Sequence, residues 1–133
     1  FRMLRHTQDK DGSLVYNDVM QGVFIDWANW SKEPKADTAN EVDVLAMKGM
    51  VPVFISCKNG LVKADELYKL QSVAERFGSG YAKKILIATS LDDRLPGTAH
   101  FRQRAADMKI RIIDDLHQLS DAQIQETLKK IWH

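Results

Sequence analysis

Four residues in the first half of the chain have the types and spacing for chemistry on a phosphate ester. Glu41 and Asp43 stand two apart in the run NEVDVLAM, and Ser56 and Lys58 stand two apart in VPVFISCK. In an extended strand, residues two apart leave the same face. Lys48-Gly49 reads as a short turn between the runs, so the two form an antiparallel hairpin. The ends of its strands then bring an acidic pair beside a hydroxyl and a lysine. Metal-assisted hydrolysis of a phosphodiester uses such a grouping, because a divalent cation polarises the phosphoryl oxygen and generates hydroxide. Mg²⁺ prefers oxygen ligands, typically one or two carboxylates with waters and substrate phosphate. A lysine beside the attacking water orients it or stabilises the charge that develops.

The flanking elements must hold these residues in place. Residues 19–27 (VMQGVFIDW) are rich in β-formers and read as a strand, and residues 28–39, with Pro34, as a loop. In the strand over 40–47, alternation predicts Val42, Val44 and Ala46 on one face. Glu41, Asp43, Leu45 and Met47 take the other. VPVFIS is apolar on both faces, which predicts a central strand covered on both sides, with Pro52 at its start. Asn59-Gly60 ends it. A helix over 64–77 follows, with Leu67, Leu70, Val73, Ala74 and Phe77 as its apolar stripe and Gly78 and Gly80 as its stop. Residues 83–89 (KKILIAT) form the next strand. A helix over 99–108 with Thr98 as N-cap and a short strand over 110–113 come after it. Ser120 opens a capping box with Gln123, and Ile124, Leu128 and Ile131 stripe the helix beyond. The polar N-terminal residues allow a short helix within 2–8 and a turn at 9–13. The order β-β-β-α-β-α-β-α defines an α/β sandwich with a mixed sheet.

The stretch NEVDVLAMKGMVPVFISCKNG resembles the signature of the PD-(D/E)XK nuclease superfamily: an Asp at a strand start, a short return, then an apolar strand ending in acid-x-Lys. NEVDVL with ISCKNG, followed by a helix and KKILIAT, is similar to the C-terminal nuclease domain of CARF-containing CRISPR ancillary nucleases. The likeness covers residues 19–90. It implies a restriction-endonuclease-like mixed sheet flanked by helices, Mg²⁺ or Mn²⁺ as cofactor, and DNA and/or RNA as substrate. It also implies a homodimer and an upstream domain that senses cyclic oligoadenylate. By position, Asp43 is then the metal-binding aspartate and Lys58 the catalytic lysine.

Two departures stand out. Ser56 occupies the place where the motif usually has Asp or Glu, and the family's acid on a helix before the first strand has no counterpart. Some PD-(D/E)XK nucleases carry Ser-x-Lys with the acid moved to the following helix. Glu66 stands there, 4, 7 and 11 residues before Leu70, Val73 and Phe77 on the inward stripe. A carboxylate on that stripe is costly unless a metal or Lys58 meets it. The other reading is that Glu66 merely favours a helix N-terminus, as Asp65 does. Glu41 is the second acid able to replace the one missing at Ser56. Asn40 and Asn59 flank the site, either orienting Glu41 and Lys58 or shaping turns. If no acid replaces Ser56, the chain is an inactive nuclease fold that binds nucleic acid or a protein, or its Asp43–Lys58 pair is only a salt bridge.

Composition narrows the class further. The chain has 133 residues, 44% hydrophobic and 28% charged, which fits one globular domain with a real core. Its single cysteine excludes a disulfide framework and points to the cytoplasm. The longest apolar run, residues 50–57, is too short to span a bilayer. The chain begins at Phe1, which is expected of a fragment of a longer protein. Net charge is only +1, but residues 58–111 carry 11 Lys/Arg against 6 Asp/Glu, a basic middle that phosphates would favour if it forms one face. Cys57 alternates away from Ser56 and Lys58 and is expected to be a buried small hydrophobe. His6, His100, His117 and His133 lack metal-ligand spacing. Trp27 and Trp30 either stack on bases or pack at the sheet edge, and Asp92-Asp93 reads as a solvated turn.

Overall fold

β-formers and helix stops are placed so that one five-stranded sheet forms with helices on both faces. The computed structural model describes residues 1–26 and 39–132. Its elements are α1 (Arg2–Arg5), β1 (Asp18–Asp26), β2 (Ala39–Lys48), β3 (Val51–Lys58), α2 (Ala64–Gly78), β4 (Lys83–Ala88), α3 (Pro96–Asp107), β5 (Ile110–Ile113) and α4 (Asp121–Lys129). The sheet order is β1-β2-β3-β4-β5. β1, β2 and β3 are antiparallel, and β4 and β5 run parallel to β3. The expected α/β sandwich with a mixed sheet is therefore what forms. The loop read over 28–39, together with Trp27 and Trp30, lies outside the described residues except for Ala39, which begins β2.

β3 is central, as its apolar run requires. Val53 and Ile55 pack on one side with Tyr16, Ile85, Ile113, Leu128 and Ile131, the side covered by α1 and α4. Phe54 packs on the other with Leu67, Leu70, Val73, Leu86 and Ala105, the side covered by α2 and α3. The Tyr16 hydroxyl donates to the Leu128 carbonyl at 2.9 Å, which ties the N-terminal segment to α4 and satisfies a buried polar group. Ser120 caps α4 in a capping box with Gln123.

Three local expectations need correction. Pro96 stands in the first turn of α3, which begins after Leu95; Thr98 is inside it, and its hydroxyl donates to the Asp92 carbonyl at 2.7 Å. Proline suits that position because its missing N–H would have no partner in the helix anyway. Phe77 lies 42% exposed at the end of α2, so the buried stripe closes at Ala74 and Gly78. Gly78 is needed for closeness: a Cβ there would run into Ala82 and meet the rings of Phe54 and Pro52 at 2.9 Å.

The third correction bears on the site. Val42, Val44 and Ala46 do not share a face. Val44 and Ala46 pack on the α1 and α4 side, whereas Val42 packs beside Phe54 and Leu67 on the α2 side. On β1, Val19 lies with the first cluster and Val23 and Ile25 against the second. The switch falls between the paired positions Gln21↔Val44 and Val23↔Val42, that is, at Gly22 and Asp43. Gly22 takes a φ of +59°, which turns the strand over and costs little without a Cβ. Asp43 therefore sits where the regular pleat is broken.

Candidate functional site

Asp43 lies one residue past the last β2–β3 pair, Val44↔Ile55. Its side chain takes over where the ladder stops. The Cys57 backbone N–H donates to Asp43 Oδ2 at 2.6 Å, and the Ser56 hydroxyl donates weakly to the same oxygen at 3.4 Å. Among the described residues Asp43 Oδ1 accepts no hydrogen bond. Lys58 ends β3, and its ammonium lies 3.2 Å from Glu66 Oε2 in the first turn of α2. Lys69, one turn further along α2, reaches Glu66 Oε1 at 3.7 Å. The Glu66 carboxylate is thus held between two ammonium groups.

These side chains surround one cleft of about 400 Å³, lined by Glu41, Asp43, Ser56, Lys58, Glu66 and Lys69, with Val42, Ile55, Leu70 and Val73 completing the lining. The hairpin thus brings Asp43 and Lys58 to one cleft, and α2 adds the Glu66 carboxylate to its lining. Glu66 is inward-facing, its side chain only 21% exposed. Glu41 also lines the cleft but is exposed, one pleat away from Asp43.

Asn59 is not among the lining residues. Its side-chain oxygen accepts from the Thr89 hydroxyl at 2.7 Å, while the Thr89 N–H donates to the Lys58 carbonyl at 3.2 Å. Asn59 thus latches the end of β3 to β4 and contacts neither Glu41 nor the Lys58 ammonium. Cys57 is exposed rather than buried, since β2 stops pairing with β3 at Val44↔Ile55 and leaves that end of β3 without a β2 ladder partner among the described residues. Partial burial, and then the Asp43 charge, push its thiol up from the ordinary cysteine value. Asp92 and Asp93 pair with Arg94 and Arg102 beyond β4, away from the cleft. Arg102 also reaches Asp114 beyond β5, so this loop is a salt-bridged turn. Sequence reasoning passed over Lys69. Its signal was the spacing of three from Glu66, which sets both on one side of a helix.

The donor set is all oxygen, which suits a hard cation such as Mg²⁺ or Mn²⁺ and not a thiolate metal. Among the described residues no three His, Cys, Asp or Glu side chains converge on one point. Mg²⁺ asks for only one or two carboxylates, the remaining ligands being water and phosphate oxygens, so Asp43 and Glu66 meet the requirement in kind.

No family model and no curated protein matches the chain. Among solved structures, it is similar to protein VC1899 from Vibrio cholerae, with a TM-score of 0.63 and 22% identity over 92% of this chain and 28% of that one. It is also similar to Can2 from Sulfobacillus thermosulfidooxidans in complex with cyclic tetra-adenylate, with a TM-score of 0.61 and 18% identity over 89% of this chain and 28% of that one. A third likeness, at a TM-score of 0.52 and 12% identity, is to AF1548, a protein of unknown function, over 85% of this chain and 58% of that one. The chain spans 28% of the length of VC1899 and of Can2. The likenesses establish a shared fold.

Proposed function

We propose that this chain is a Mg²⁺- or Mn²⁺-dependent nuclease domain that hydrolyses phosphodiester bonds in DNA and/or RNA. The observation that carries the reading is the single cleft in which Asp43, Lys58 and Glu66 meet. In this reading Asp43 and Glu66 hold the cation, with Glu41 the alternative acid, and Ser56 supports Asp43 by hydrogen bonding. A bound divalent cation supplies Lewis acidity at the phosphoryl oxygen. Lys58, at the mouth of the same cleft, orients the attacking water and offsets the negative charge that grows on the phosphate. Leu70 and Val73 form an apolar wall beside these charged groups.

The shared fold with Can2, a protein solved with cyclic tetra-adenylate, supports a wider setting. There the chain is the effector part of a longer, homodimeric, cytoplasmic CRISPR ancillary protein, and an upstream domain senses the nucleotide. Among the described residues no helix is long and apolar enough to cross a membrane. The deciding experiment is a cleavage assay on single- and double-stranded DNA and RNA with Mn²⁺, Mg²⁺ or EDTA. Metal-dependent cleavage lost in Lys58→Ala supports the reading, and no cleavage of any substrate by the wild type counts against it. A second reading, an inactive nuclease fold that binds nucleic acid, is favoured by the pairing of Glu66 with two lysines; calorimetry showing no Mn²⁺ binding, with oligonucleotide still bound, would favour it over the first.

A further inference from the structure

The charged groups around the cleft do not balance. Among the described lining residues Glu41, Asp43 and Glu66 oppose Lys58 and Lys69, which leaves these five groups a formal charge of −1 without metal. A cleft in that state attracts a cation and repels a phosphodiester. One divalent cation reverses the sign to +1, so the same cleft then attracts the backbone of a nucleic acid. Both lysines lie within ion-pair distance of the Glu66 carboxylate, one on each oxygen, Lys58 at 3.2 Å and the more exposed Lys69 at 3.7 Å. A carboxylate that coordinates a cation has less charge left to hold two ammonium groups, and the lysines become available for other anions. The Lys69 side chain is 68% exposed, against 36% for Lys58, so it is the one free to swing to the mouth.

We propose that Lys69 is a metal-gated phosphate-binding residue: it pairs with Glu66 in the metal-free cleft and contacts the nucleic-acid backbone once Glu66 holds a cation. The inference rests on the nuclease reading above and deepens it, since it couples the binding events. Lys69 then holds the backbone more strongly once Asp43 and Glu66 have taken up a cation. Lys58 stays with the reacting phosphate, and Lys69 holds a neighbouring one. A lysine is suited to this because its ammonium is a point charge on a flexible stem, indifferent to base sequence.

The test uses Lys69→Gln, which keeps the length of the stem and its contact with the helix surface but removes the charge. Binding of fluorescein-labelled oligodeoxynucleotide and oligoribonucleotide of one sequence is followed by anisotropy, in Ca²⁺ or in EDTA, across a salt series. Gels check that the strands stay intact. In Ca²⁺ the variant should bind more weakly, and the slope of log affinity against log salt should fall by about 1, the signature of one lost phosphate contact. In EDTA the deficit should shrink, because Lys69 is then occupied by Glu66. Mn²⁺ affinity measured by calorimetry should be unchanged or higher, because one competing cation has gone from Glu66. A deficit of equal size in Ca²⁺ and EDTA overturns the gating, and an unchanged salt slope overturns the phosphate contact. Wild-type protein that binds no Mn²⁺ overturns the nuclease reading itself, which separates the two failures. The oligonucleotide with the larger metal-dependent gain identifies DNA or RNA as the backbone held.

Discussion

The Cys57 backbone N–H donates to Asp43 Oδ2 at 2.6 Å, so one oxygen of the carboxylate closes the β2–β3 hairpin while the other takes no hydrogen bond among the described residues. In the proposed reading structure and chemistry share this one side chain, and substitutions separate them. Asp43→Asn keeps an acceptor oxygen for Cys57 and removes the charge. Its expected outcome is loss of Mn²⁺ binding and of cleavage, with stability in EDTA within about 1 kcal/mol of wild type. Asp43→Ala also strands the Cys57 N–H, at a further cost of about 1 kcal/mol, at the low end for an unmet donor because that edge is exposed. Urea unfolding in EDTA together with cleavage assays checks both. Wild-type-like cleavage by Asp43→Asn would remove Asp43 from the site.

Glu66 gives a second separation. The sequence alone leads to the view that removing its charge relieves repulsion with Asp43 and leaves stability equal or higher. The structure reverses the sign, since Glu66 is the counter-ion of both Lys58 and Lys69. Glu66→Gln leaves two ammonium groups facing each other. The expected loss in EDTA is about 0.5–1 kcal/mol, small because all three groups are partly solvated. Mn²⁺ affinity should fall sharply in the same protein. Calorimetry showing equal affinity would move the ligand role to Glu41.

The fold was legible where burial leaves a periodic trace. β3, apolar on both faces, could only be central, and α2 showed its stripe. The hairpin turn at Lys48-Gly49 fixes which strand ends meet, and that alone places Asp43 and Lys58 near one another. What failed were features without a periodic trace. The face switch at Gly22 and Asp43 comes from one positive φ on the neighbouring strand, which alternation within β2 cannot register. The exposure of Cys57 depends on where β2 stops pairing, a tertiary fact. Pro96 displaced Thr98 as the start of α3 because a fixed proline φ outranks a hydroxyl when both stand near a helix start. Lys69 was passed over because a lysine on an exposed helix face looks like any solvated charge until its partner is placed.

Gly78 supplies a prediction about stability alone. It ends α2 with no room for a Cβ, between Ala82 and the rings of Phe54 and Pro52. Ala82 is backbone-anchored and the proline ring is rigid, so little can give way. Gly78→Ala should therefore destabilise the domain by about 1–3 kcal/mol, the usual cost of overpacking, even though alanine is the better helix former. Thermal unfolding measures this. An unchanged or raised midpoint would mean that α2 can shift off β3 without loss.

The Cys57 thiol offers a reporter for the metal that does not depend on turnover. Its acidity is weakened first by burial and then by the negative charge of Asp43. Both favour the neutral thiol, so at a given alkaline pH less thiolate is present than in an unstructured cysteine peptide. Since the thiolate is the nucleophile, alkylation by iodoacetamide should be slower, and its pH midpoint should lie above that of the urea-unfolded chain. A cation held by Asp43 opposes the second cause and leaves the first untouched. Saturating Mg²⁺ should therefore move the midpoint down part of the way, and Asp43→Asn in EDTA should do the same. Mg²⁺ added to Asp43→Asn should then have no further effect. Mg²⁺ is the right probe because it has little affinity for sulfur, so a shift reports charge at Asp43 and not a metal–thiolate bond. A wild-type midpoint that does not respond to Mg²⁺ would argue that no cation sits beside Asp43.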